Sequence, residues 1–115
     1  MTSPSVALAR PPLAVRSIGA LSALVVAVHL AVNWLSPYGF QRDEFLYMAM
    51  GRHLQLWRMD FPPFIAMLSE VQRFLLGDSM VAVRLSSSLA AGLLVVLAAL
   101  IARELGGGRV AQLFA

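Results

Sequence analysis

The sequence predicts an all-α membrane protein: two transmembrane helices joined by an extracytoplasmic loop with two amphipathic interfacial helices, and the start of a third transmembrane helix at the C-terminus. Three observations predict it. Of 115 residues, 59% are hydrophobic and only 13% charged, above the apolar share of an ordinary soluble domain. Two apolar runs have membrane-spanning length. Arginines flank both runs, while the segment between them balances its charges.

Residues 1–16 contain Pro4, Pro11, Pro12, Arg10 and Arg16 and read as a cytoplasmic tail without a fold of its own. Residues 17–36, SIGALSALVVAVHLAVNWLS, form transmembrane helix 1: they carry no charge, and about 20 helical residues cross roughly 30 Å of hydrocarbon. Trp34 and Tyr38 fall where an interfacial aromatic belt sits, and Pro37 ends the helix. A cleaved signal peptide is the competing reading. The run is longer than a usual signal core and lacks a small-x-small cleavage site before Pro37.

Residues 37–80 form the extracytoplasmic loop, too long to be a bare connection. A first helix is expected from Arg42 to Trp57, with Phe45, Met48, Ala49 and Leu56 as its apolar stripe and Asp43 in its first turn, where negative charge suits the helix dipole. A second is expected from Pro62 to Leu76, with Phe64, Met67, Leu68, Val71 and Leu75 at three- and four-residue spacing, opposite Glu70 and Arg73. Such helices suit the membrane interface.

Residues 81–102 form transmembrane helix 2, with Asp78 or Ser79 as N-cap. Ser86, Ser87, Ser88, Ala90, Ala91 and Gly92 make a small-residue patch that calls for a partner helix. Residues 103–115 give a glycine-rich cytoplasmic turn and the opening of transmembrane helix 3, so the chain reads as a fragment of a larger membrane domain. Arg10 and Arg16 precede the first span and Arg103 and Arg109 follow the second, whereas the intervening segment sets five Arg against five acids. Both termini are therefore expected in the cytoplasm.

The nine arginines and net charge of +3 do not imply nucleic acid, because the arginines are scattered around the apolar segments. Without cysteine, disulfides, thiolate catalysis and cysteine metal sites are excluded. The residues that can carry chemistry sit in the loop. Asp43 and Glu44 lie about one turn from Tyr47, and Asp60 precedes Phe61, Pro62 and Pro63. A carboxylate at the membrane edge can accept a proton from an attacking hydroxyl or amine, or hold a divalent cation beside a phosphate. Arg42, Arg52, Arg58 and Arg84 are candidates for gripping an anionic leaving group, since guanidinium matches phosphate oxygens in pairs. The plainer readings are an acidic helix start at Asp43 and Glu44, a turn at Asp60, and an interface-seeking Arg84. His29 and Asn33, one turn apart, suit an interhelix hydrogen bond, and His53 has no diagnostic partner.

In order and spacing, "RDEFLYMAMGRHL", "RMDFPPFIAMLSEVQRFLLGDSMVAVRLSSSLAAGL" and "ARELGGGR" resemble the amino-terminal part of bacterial GT-C superfamily membrane glycosyltransferases, of the dolichyl-phosphate-mannose protein mannosyltransferase and aminoarabinose transferase type. The resemblance covers residues 17–115. It implies a multi-pass protein of the bacterial inner membrane that transfers a sugar from a polyprenyl-phosphate donor to an acceptor at the outer face, with inversion. Asp43 would then be the general base or acceptor-orienting carboxylate. Glu44 and Asp60 would be supporting residues or contacts to a possible divalent cation, Arg84 a phosphate or carboxylate partner, and Tyr47 a substrate contact. In that family later helices hold the donor phosphate, so residues 1–115 alone are expected to be inactive; sugar transfer by the purified segment in lipid would refute this. The alternative is a small two-span assembly or regulatory subunit that uses the Ser86 to Gly92 face. A transporter fragment fits less well, because the ionisable residues cluster in the loop.

Overall fold

A computed structural model describes residues 10–55 and 62–115. Five helices follow in order: α1 (Val15–Leu35), α2 (Arg42–Arg52), α3 (Phe64–Leu76), α4 (Met80–Glu104) and α5 (Arg109–Phe114). No strand occurs among the described residues. Of these helices, α1 and α4, with 21 and 25 residues, are long and apolar enough to cross a membrane. Much of their apolar surface is uncovered, including Leu24, Val28, Val32, Leu94 and Ile101. The chain divides into two compact units, one of residues 28–88 and one whose described part is residues 10–27 with 89–115.

Within residues 28–88, α2 packs on α3 through small and polar surfaces. A Cβ on Gly51 would fall 3.0 Å from the Ala66 carbonyl oxygen and 3.1 Å from Glu70 Oε2, so the missing side chain lets the helices approach closely. The inward residues of α3 are Ala66, Ser69 and Gln72. Gln72 donates to the Ala82 carbonyl (3.1 Å) and accepts from Ser86 Oγ (3.2 Å), which ties α3 to the start of α4. The apolar stripe expected on α3 points away from the chain: Phe64, Met67, Val71 and Leu75 are exposed, and Leu68 is half-buried. Phe45 on α2 is likewise exposed. The helix pair is thus inside-out relative to a water-soluble hairpin, which buries its apolar stripe.

Helix ends shift from their expected places for local reasons. The α-helix of α2 stops at Arg52 rather than Trp57, where His53 N–H bonds back only three residues to the Met50 carbonyl. Leu56 and Trp57 lie outside the described residues. Pro63 occupies the N-cap of α3, so the helix proper starts at Phe64. Of the two candidate caps of α4, Ser79 takes the role: its Oγ accepts from Ala82 N–H at 3.1 Å. Asp78 instead pairs with Arg73, whose guanidinium also reaches Glu70 Oε2 at 3.1 Å.

In the other unit, Ser22 Oγ on α1 donates to the Gly92 carbonyl on α4 at 2.8 Å. A Cβ on Gly92 would fall 2.6 Å from Val26 Cγ2. The Gly92 end of the small-residue patch therefore meets α1 of the same chain, as close helix packing in membranes favours. Gln112 of α5 is buried and bonds three backbone groups: it accepts from Ala14 N–H (3.0 Å) and donates to the carbonyls of Pro12 (3.2 Å) and Gly107 (3.0 Å). Arg103 Nε donates to the Pro11 carbonyl at 3.0 Å, and Arg10 pairs with Glu104 at 2.8 Å.

Candidate functional site

The first turn of α2 separates two neighbouring carboxylates. Successive residues on an α-helix are turned by about 100°, so Asp43 and Glu44 cannot share a direction. Glu44 meets α4: Arg84 Nε donates to its Oε1 at 2.5 Å and Arg84 Nη2 to its Oε2 at 2.8 Å, a forked pair. Its Oε2 also accepts from Gln41 N–H at 2.7 Å, the reach-back bond of a capping box that fixes the start of α2. Both partners are largely covered, with side-chain exposures of 18% for Glu44 and 21% for Arg84. Hydrogen bonding from Arg84 holds the Glu44 carboxyl below its ordinary value; burial works against this, and the Gln41 N–H and the nearby positive charge add to the lowering.

Arg84 is tied on its other sides as well. Nη1 donates to Asn33 Oδ1 at 3.3 Å and Nη2 to the Gly39 carbonyl at 3.5 Å, so one guanidinium joins the end of α1, the segment before α2, and α4. Of the phosphate and carboxylate partners considered for Arg84, the structure shows a carboxylate, Glu44. An open cleft of about 330 Å³ lies beside this network, lined by His29, Val32, Asn33, Glu44, Arg84, Ser87 and Ser88.

Asp43 is different. Its side chain is 68% exposed, and its nearest cation among the described residues, the 98% exposed Arg42, lies 3.8 Å away. At that distance the pair contributes little and leaves the carboxylate oxygens available. Tyr47 follows four residues later, one turn along the same helix, and is half-buried. Asp60 and Arg58 lie outside the described residues. Among the described residues no three His, Asp or Glu side chains converge. Glu44 has both oxygens committed to Arg84 and Gln41, so a divalent cation there would have to displace the guanidinium. The described donors do not fit a resident cation.

A second concavity, of about 530 Å³, is lined by Phe40, Phe45, Met48, Ala49, Arg52, Arg73 and Asp78. Phe40 and Phe45 meet edge to face, 5.6 Å between ring centres. Its Arg73 is consumed by Glu70 and Asp78. Sequence reasoning did not foresee Asn33, Gly39 and Gln41 as the partners that complete the Glu44–Arg84 network. The one-turn spacing of His29 and Asn33 was the available signal, and it marks interhelix bonding without naming the partner. Compared with protein-family models, curated proteins and solved structures, the chain matches none of them.

Proposed function

We propose that this chain forms the amino-terminal part of an inverting glycosyltransferase of the bacterial inner membrane, with residues 1–16 and 103–115 cytoplasmic and residues 37–80 at the outer face. The arginines outside the two long helices, at 10, 16, 103 and 109, support this orientation. The observation that carries the reading is the unequal use of two adjacent carboxylates. Glu44 is committed to Arg84, whereas Asp43, on the helix that this pair anchors, keeps its oxygens free among the described residues. A general base needs a free lone pair on a fixed backbone, and Asp43 has both.

In the reaction, Asp43 takes the proton of the acceptor hydroxyl or amine as that atom bonds to the anomeric carbon. The bond from that carbon to the donor's phosphate oxygen breaks on the opposite face, and polyprenyl phosphate leaves with the electron pair. Glu44 and Arg84 act as positioning residues for α2. As the resemblance implies, the donor phosphate is held by helices beyond this chain.

The test is Asp43→Asn in the longest natural protein containing this segment, assayed in membranes with a polyprenyl-phosphate sugar donor. Transfer should fall about a hundred-fold or more at unchanged membrane level, the usual scale for a lost general base. Unchanged transfer removes Asp43 from the chemistry.

A further inference from the structure

Beside the start of α1 the chain builds a basic cleft that has no part in the proposed reaction. It measures about 420 Å³ and is lined by Leu13, Ala14, Val15, Arg16, Ser17 and Arg109. Its walls are tied together. Gln112, 3% exposed and one turn beyond Arg109, bonds Ala14 N–H and the Pro12 and Gly107 carbonyls, which holds the start of α5 against the segment leading into α1. Arg109 is thereby brought to the same cleft as Arg16.

The arginines of this unit divide into two kinds. Arg10 pairs with Glu104, and Arg103 is bonded to the Pro11 carbonyl. Arg16 and Arg109 make no ion pair or side-chain hydrogen bond among the described residues, and both are exposed. Two unneutralised guanidinium groups on one built cleft repel each other unless an anion lies between them. The cleft sits where a helix long and apolar enough to cross a membrane begins, and the end of a spanning helix meets the lipid headgroups.

We propose that Arg16 and Arg109 bind a phosphate group, that of an anionic phospholipid headgroup in the adjoining leaflet. Guanidinium forks suit phosphate oxygens, and each basic residue near an anionic surface adds roughly 1 kcal/mol, about five-fold in binding. The proposal is independent of glycosyl transfer.

The full chain, reconstituted in phosphatidylcholine vesicles, is titrated with spin-labelled phosphatidylglycerol, with spin-labelled phosphatidylcholine as reference. The native protein should select the anionic label. R16Q and R109Q should each lower that selectivity roughly five-fold. Circular dichroism confirms the fold of each variant. Added inorganic phosphate separates the sources: selectivity that survives it assigns the site to lipid, and selectivity abolished by it assigns the site to free phosphate and overturns the lipid assignment. Equal binding of the two labels by the native protein, or full selectivity in the R16Q/R109Q double variant, overturns the proposal.

Discussion

The two units fix their non-helical segments by opposite chemistry. In residues 28–88 a charged fork, Glu44 with Arg84, joins α2 to α4 and collects Asn33 and the Gly39 carbonyl. In the other unit a neutral amide, Gln112, gathers three backbone groups, while Arg16 and Arg109 stay uncommitted among the described residues. Charge spent on holding the chain together is not free for a ligand. The charges left uncommitted among the described residues, Asp43 in one unit and Arg16 and Arg109 in the other, are therefore the ones the two proposals use.

Breaking the charged fork should be the larger structural perturbation. Arg84→Ala leaves Glu44 largely covered and without its cation. Removing one partner of a fully buried pair costs roughly 3–5 kcal/mol; here some water reaches both groups, and about 2–3 kcal/mol is expected. Unfolding in mixed detergent micelles measures it. The double variant Arg84→Met/Glu44→Leu should recover most of the loss, because no charge is then stranded. If Arg84→Ala unfolds like the native protein, the fork is not a tie.

Gln112→Ala should cost less, about 2 kcal/mol, because the three groups it leaves are neutral and only partly covered. Its second effect sharpens the contrast: with the tie gone, Arg109 is no longer held at the start of α1. Hydrogen exchange at Ala14 reads this directly, and native protection in the variant would show that Gln112 holds nothing.

What was legible in the sequence followed from local pattern. The spans α1 and α4 announce themselves because about 20 apolar residues in a row have few other uses. The three- and four-residue spacing from Phe64 to Leu75 located α3, yet amphipathicity names the apolar face without saying what covers it. The chain buries Ala66, Ser69 and Gln72 instead, for which the regular three-residue spacing, with small size at the first two, was the only sign. The Glu44–Arg84 fork joins residues 40 apart, and Gln112 reaches back 98 residues to Ala14; no local pattern encodes such pairs. The adjacency of Asp43 and Glu44 was visible, but not that their roles would separate. That division depends on α4 lying beside one face of α2.

The smallest expected effect is with pH, and only the charged tie should show it. Arg84 holds the Glu44 carboxyl below its ordinary value of 4.5. A carboxyl whose folded value is depressed contributes stability that is fully present above the unfolded value and is lost as pH falls through the folded one. The contribution of Glu44 should thus persist down to about pH 4.5 and fade below it. Asp78, lowered by its bond from Arg73, should behave alike beneath 3.8, but its exposed position leaves it strongly screened. Gln112 does not titrate. Protection of the Gln41 and Phe45 amides against hydrogen exchange should therefore weaken on acidification before that of Ala14 does, and Glu44→Gln should remove the difference. Protection at Gln41 that stays flat through this range would mean that the capping bond, not the charge of Arg84, holds the start of α2.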